Sequence, residues 1–197
     1  MDRALEMEVT EQLLDLLAHP SMSTGDEMRE LPASDYTDPR RWSRERLRLF
    51  GQLPLLAGLS GELAQPGDWK LFEPPGTSIV LVRGDDGVVR GLRNSCRHRG
   101  AVVVEQPRGS SRSFTCPYHS WTYDRRGELI GIPRAETFPG VCRPERGLHE
   151  VPVRERDGVI WVRPGGEPFD LDAHLGDFAA ELARWNLGGL HFFQQRE

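Results

Sequence analysis

Two short segments constrain this chain more than any other feature. Cys96-Arg97-His98-Arg99-Gly100 and Cys116-Pro117-Tyr118-His119-Ser120-Trp121 each hold one cysteine and one histidine only two or three residues apart. A thiolate and an imidazole so close in sequence reach one centre only where the backbone turns sharply. Gly100 tolerates positive φ, while Pro117 fixes its own φ and removes an N–H, so both loops carry turn chemistry. The order is Cys-x-His, seventeen residues, Cys-x2-His. Zinc fingers usually pair two cysteines in one knuckle and two histidines in the other, whereas each loop here supplies one of each. Mixed knuckles suit a two-iron cluster, in which one iron takes both thiolates and the other both imidazoles. A structural zinc module is the alternative on the same residues.

Three cysteines make no disulfide framework once two are committed to metal, and Cys142 then reads as an ordinary half-buried thiol. His19, His149, His174 and His191 lack ligand spacing and read as surface or packed histidines. The net charge of −5 argues against nucleic acid as a partner. Its distribution is uneven. From Arg90 to Arg126 eight arginines stand against Glu105 and Asp124, a local +6, so the rest of the chain carries −11. That basic island reads either as a solvated face or as a docking surface for an acidic electron carrier, most plausibly through Arg97, Arg99, Arg125 or Arg126. No apolar run approaches a membrane span and no secretory signal opens the chain, so cytoplasm is the expected compartment.

Residues 2 to 18 space Leu5, Val9, Leu13, Leu16 and Leu17 as an amphipathic helix ended by Pro20, an arm for the body or for a neighbouring subunit. Ser21 to Glu30 reads as a flexible link. Asp38-Pro39 opens a helix expected to run to about Phe50, and Pro54 to Gly67 reads as a loop-rich lead-in. Strands are expected at Trp69–Phe72, Ser78–Val82 and Val88–Leu92, then at Ala101–Glu105 and Ser113–Cys116 with Arg108–Arg112 as the tip between them. Hairpins at Trp121–Tyr123 with Glu128–Ile130 and at Val151–Arg154 with Val159–Val162 complete the β pattern. The segment Ile132 to Arg146, carrying Phe138, reads as an ordered loop covering apolar surface near the two Cys/His loops. Asp172 to Trp185 looks helical with Leu175, Phe178, Leu182 and Trp185 on one side, and His191 to Glu197 looks strand-like.

With both blocks, Cys-Arg-His-Arg-Gly and Cys-Pro-Tyr-His-Ser-Trp-Thr-Tyr-Asp, in place, the sequence resembles the Rieske domain at the N-terminal part of aromatic ring-hydroxylating oxygenase alpha subunits. Looser similarity runs from about Tyr36 to Asn186. The resemblance implies a fold that is mainly β with flanking helices: an antiparallel β-domain with an N-terminal helical arm and a C-terminal helix. Residues 1–35 would be the arm and linker, 36–66 a helix and lead-in, 67–164 the Rieske domain, and 165–197 the start of a catalytic domain. It also implies a [2Fe–2S] cluster with Cys96 and Cys116 on the inner iron and His98 and His119 on the outer one. A reductase or ferredoxin would supply single electrons, and a mononuclear non-heme iron in a catalytic domain, that of a neighbouring subunit included, would receive them. No two-histidine, one-carboxylate site for that iron is legible in this sequence, so no catalytic residue is assigned. The full-length form is expected to be a homo-oligomer, and a stand-alone ferredoxin is the alternative function.

The respiratory type within the same superfamily carries an additional cysteine in each loop, joined as a disulfide, and a serine that hydrogen-bonds the cluster. Ala101, Tyr118 and Trp121 stand at those positions, and Ser120 falls where many relatives carry Gly. Hydrogen bonds to sulfur stabilise the more negative reduced state, so their loss implies a low potential. Replacing Cys116 with Ser is expected to abolish cluster incorporation, read as bound iron and acid-labile sulfide, while Cys142→Ser leaves both unchanged.

Overall fold

The run Ile79-Val80-Leu81-Val82 is apolar at every position, so as a strand it presents apolar side chains to both faces and requires cover on each. In the computed structural model, which describes residues 3–20 and 28–191, this run lies in β3 (Ile79–Arg83) and all four side chains are at most 1% exposed. β3 sits at the centre of a five-stranded antiparallel sheet in the order β5-β2-β3-β4-β9, with β2 Asp68–Phe72, β4 Val89–Arg93, β5 Arg108–Ser110 and β9 Glu150–Val151. Val80 and Val82 face one core together with Trp69, Leu92, Cys96, Phe114, Cys116, Trp121 and Tyr123. Ile79 and Leu81 face a second core with Ala57, Leu63, Ile160 and Val162.

Each face is covered by a three-stranded sheet. The first core is closed by β6 (Ser113–Thr115), β7 (Thr122–Asp124) and β8 (Leu129–Gly131). The second is closed by the order β1-β11-β10, with β1 Leu55–Leu59, β10 Val153–Arg156 and β11 Val159–Val162. β11 poses the same problem as β3: its Ile160 and Val162 fill the second core, while Val159 and Trp161 point outward. Helices α4 (Leu171–Leu175) and α5 (Phe178–Arg184) cover that outer face through Leu171, Leu175 and Leu182. The chain approaches closely there, since a Cβ on Gly158 would lie 2.1 Å from the backbone nitrogen of Gly188.

Both Cys/His loops hang from this framework and share one backbone pattern. The first follows β4 and the second joins β6 to β7. Cys96 N–H donates to Ala101 O, and Gly100 N–H donates back to Cys96 O; Cys116 N–H donates to Trp121 O, and Ser120 N–H donates back to Cys116 O. The turn closes through a left-handed residue in each, Gly100 at φ +75° and Ser120 at φ +56°. Asn94, a buried polar side chain, pins the first loop. Its Oδ1 accepts from the N–H groups of Val103 (3.0 Å) and Val104 (2.9 Å), and its Nδ2 donates to Val104 O (2.7 Å) and Ser78 Oγ (3.1 Å).

Two compact units are present, Met1–Trp42 and Ser43–Glu197. In the first, α1 (Arg3–Ala18) forms as expected but buries no side chain, so Leu5, Leu13, Leu16 and Leu17 stay exposed. A single turn, α2 (Ser34–Thr37), precedes α3 (Pro39–Arg48), where Asp38 Oδ1 accepts the Arg40 N–H as the helix-start reading requires.

Several expected elements are corrected. The lead-in Pro54 to Gly67 carries β1, which pairs with β11. Ala101 to Glu105 forms no strand because Asn94 takes the hydrogen bonds a ladder would have used, and the expected tip at Arg108 is β5, paired with β2. The helix expected over Asp172 to Trp185 breaks at Gly176, and Phe178 and Trp185 are exposed and touch each other edge to face. Cys142, expected half-buried, is exposed. Residues 21–27 of the expected link and 192–197 of the expected terminal strand lie outside the described residues.

Arg83 ties the layers together: its guanidinium donates to Leu63 O, Gly87 O and both carboxylate oxygens of Glu155, each of the latter at 2.8 Å. Burial works against the Glu155 carboxylate, but the Arg83 hydrogen bonds and charge, together with the Ser60 hydroxyl, outweigh it and hold the pKa below the ordinary value. A depressed folded pKa contributes stability above the unfolded value, about 4.3, that is lost as pH falls through the folded one. Glu155→Gln is expected to lower unfolding free energy by roughly 1–2 kcal/mol at pH 7 and by much less near pH 3, read by thermal unfolding. A left-handed Ser is strained, so Ser120→Gly should raise stability by about 0.5 kcal/mol, whereas Ser120→Val should lower it by more than about 1 kcal/mol.

Candidate metal centre

The two matched turns bring the four expected donors to one end of the β-domain, thiols inward and imidazoles outward. Cys96 and Cys116 are 4% and 2% exposed and belong to the same core. After burial itself, the neighbouring Cys96 is one of the groups that push the Cys116 thiol up. His98 and His119 are only half-buried, with ring centroids 4.6 Å apart. Each turn therefore points its cysteine into the core and its histidine toward the rim.

Aromatic rings hold the imidazoles in place. His98 stacks on Trp121 with centroids 4.9 Å apart and planes 9° apart, and Phe138 meets His98 edge-on at 5.4 Å. Tyr118, itself exposed, lies over His119 at 3.8 Å. The expectation that Ile132 to Arg146 covers apolar surface near the loops is met through Phe138, which also touches Trp121 at 5.8 Å.

Hydrogen bonds reach the sulfurs from three directions. The Tyr123 hydroxyl lies 3.2 Å from Cys96 Sγ and accepts the Arg97 N–H at 3.0 Å. Tyr123 has no exposed surface, and burial together with Cys96 pushes its phenol far above the ordinary range, so it stays a neutral hydroxyl. Burial pushes the Cys116 thiol up, against the N–H groups of Tyr118 and His119 that favour a thiolate. Burial, then His119 and Arg99, hold the His98 imidazole below its usual pKa, which keeps a ring nitrogen free for a metal.

These donors fit a two-iron cluster. His98 Nδ1 is enclosed and has no hydrogen-bond partner, and Arg97 Nε and Trp121 Nε1 nearby are likewise enclosed without one. A buried imidazole nitrogen left unpaired is costly, and an iron at that position would satisfy it. Among the described residues no three His, Cys, Asp or Glu side chains gather as a single-ion site. A tetrahedral zinc would draw all four donors onto one point, whereas a two-iron cluster asks each iron for just two of them.

Four of the eight arginines in the basic island pair with acids from outside its own stretch of sequence. Arg90 pairs with Asp86 at 2.7 Å, Arg126 with Asp86 at 3.4 Å, Arg125 with Asp85, and Arg108 with Glu62 at 3.0 Å. Arg93 donates to Thr77 and to Pro164 O. Of the four arginines read as steering groups, Arg125 and Arg126 are thus tied to the β3–β4 turn, while Arg99 is exposed beside His98. Tyr123 and Asn94 are functional supports the sequence reading missed. Their only signal was position, Tyr123 seven residues after Cys116 and Asn94 two before Cys96.

Comparison with known proteins agrees with this geometry. The family model described as Rieske [2Fe-2S] domain matches residues 54–164. The chain is 34% identical over 143 residues to the biphenyl 2,3-dioxygenase subunit alpha of Rhodococcus jostii, covering 72% of this chain and 31% of that protein. It is 30% identical to the glycine betaine monooxygenase oxygenase subunit of Chromohalobacter salexigens, covering 94% of this chain and 43% of that subunit. The crystal structure of naphthalene 1,2-dioxygenase from Rhodococcus sp. bound to indole superposes with a TM-score of 0.72 at 28% identity, over 77% of this chain and 35% of that one. The chain therefore spans less than half the length of these relatives. With the matched region covering most of the β framework and both Cys/His loops, the chain belongs to the Rieske [2Fe–2S] domain family.

Proposed function

We propose that Cys96 and Cys116 hold the inner iron of the family's [2Fe–2S] cluster and His98 and His119 the outer one. The carrying observation is the pair of matching turns that bury both thiols in one core and set both imidazoles side by side at its rim. When bound, such a cluster accepts and releases one electron at a time. The residues around it do the rest: Tyr123 and the backbone N–H groups of Tyr118 and His119 donate toward the sulfurs, and Trp121 and Phe138 keep the His98 side apolar.

On this reading the chain is the electron-transfer portion of a ring-hydroxylating oxygenase alpha subunit. It takes single electrons from a reductase or ferredoxin and passes them to a mononuclear iron in a catalytic domain, that of a neighbouring subunit in a homo-oligomer included. Similarity to oxygenase subunits over 72% and 94% of the chain supports this over a stand-alone ferredoxin. Residues 165–197 are then the start of the catalytic domain, within which Leu171, Leu175 and Leu182 pack on β11. Relatives act on aromatic hydrocarbons and on glycine betaine, so an aromatic ring is the proposed substrate class and a quaternary ammonium compound the competing one. No described helix is long and apolar enough to cross a membrane, in keeping with a cytoplasmic site of action.

The purified chain is expected to bind iron and acid-labile sulfide and to show a Rieske-type paramagnetic signal on reduction. Its midpoint potential should lie near the low end of the Rieske range, about −150 mV, because Trp121 has no hydroxyl and Ala101 and Tyr118 make no disulfide. Tyr123→Phe, which removes a donor to Cys96, should lower it further. A potential above about +100 mV would contradict this assignment. With reductant and oxygen but no further oxygenase domain, the chain should form no hydroxylated product.

A further inference from the structure

Between Pro133 and Arg146 the chain makes 3-10 turns at Ala135–Thr137 and Arg143–Arg146, and almost every residue is exposed. Phe138 and Val141 are the two side chains in that stretch that turn inward onto the first core. They do different things there. Phe138 sits edge-on to His98 and to Trp121 at once, at 5.4 and 5.8 Å, closing the open side of the His98–Trp121 stack. Val141 packs on the core without a ring contact to either. The backbone fixes Phe138 by two hydrogen bonds, its N–H to Ala135 O at 3.0 Å and its O from Val141 N–H at 3.3 Å.

The pairing creates an asymmetry between the two imidazoles. His98 is boxed by Trp121, Phe138 and the edge of His119, whereas among the described aromatic rings His119 meets, besides His98, Tyr118, which is 60% exposed. We infer that Phe138 is a positioning residue that seals the His98 side of the centre against water, and that this seal holds the reduction potential down and slows loss of iron. The inference rests on the cluster assignment above. Its physical basis is that a reduced cluster carries one more negative charge than an oxidised one. Water stabilises that charge better than an aromatic edge does, so removing the edge favours the reduced form. The same opening admits water and protons to the His98–iron bond.

The test uses the full chain carrying its cluster and a graded series, Phe138→Leu, Phe138→Val and Phe138→Ala, beside Val141→Ala as a variant that loosens the same loop without uncovering His98. Midpoint potential and the rate of iron release to a ferrous chelator are measured, with thermal unfolding followed in parallel. Phe138→Ala should favour the reduced form by about three- to tenfold, tenfold being 59 mV for a one-electron couple, and release iron several-fold faster. Phe138→Val should fall between Phe138→Leu and Phe138→Ala, and Val141→Ala should leave the potential within about twofold of the parent equilibrium despite any loss of thermal stability. Should the alanine variant not fold, the ordering of Leu against Val decides. Potentials that do not change along the series, or an equal shift in Val141→Ala, would overturn the seal while leaving the ligand assignment standing. A parent chain lacking the Rieske signal would overturn both.

Discussion

Four side chains proposed to bind a metal centre, carried on two loops, must be aimed at one small space, with the thiols buried and the imidazoles at its rim. The β-domain meets this requirement by using one backbone turn twice. In each loop the cysteine N–H reaches a carbonyl five residues on, and the cysteine carbonyl receives the N–H four residues on. A left-handed residue at the fourth position closes the ring of bonds, Gly100 without strain and Ser120 with it. Because the two turns match, both cysteines point into the core, while the histidines, two residues after the cysteine in one loop and three in the other, both reach its rim.

Rigidity at these turns comes from the layers beneath. β3 is apolar on both faces and therefore brings a sheet against each; the first loop grows from β4 of the central sheet and the second from β6 and β7 of the sheet that covers the first core. Asn94 and Tyr123 then carry the connection from the strands to the loops. A buried amide making four hydrogen bonds fixes the return of the first loop, and a buried phenol joins the first loop's sulfur and backbone to β7 of the second. Leaving any of these groups unpaired in a dry interior would cost on the order of 1–3 kcal/mol, so the network tolerates little displacement. Such stiffness suits electron transfer, which is favoured when a centre changes shape little between its oxidation states.

Charge behaves differently in three dimensions than along the chain. The eight arginines between Arg90 and Arg126 look like a basic surface when counted in sequence. In the fold, Asp85 and Asp86 from the β3–β4 turn and Glu62 from beside β2 meet several of them directly. What stays positive near the centre is Arg97 and Arg99, within the first loop itself. A partner drawn by charge would therefore be drawn to the loop that carries His98, and the outlying arginines serve mainly to hold turns and strands together.

The residues that determine the chemistry are contiguous, and that is why they were legible. Cys96, His98, Cys116 and His119 lie in two short blocks whose donor order favours a two-iron cluster over a zinc finger, and alternating apolar runs marked most strands around them. The family and the antiparallel β architecture followed from the sequence for the same reason. Tertiary structure alone decided the rest, because each missed feature depends on partners far away in the chain. β1 is a strand by virtue of β11, roughly a hundred residues later, and residues 101–105 fail to be one because a single buried asparagine captures their hydrogen bonds. Tyr123 reads as an ordinary strand residue until its hydroxyl meets Cys96, and Phe138 as a loop aromatic until it closes over His98. Local pattern marks the side chains proposed to bind a metal, but what surrounds them is set by contacts that no local pattern encodes.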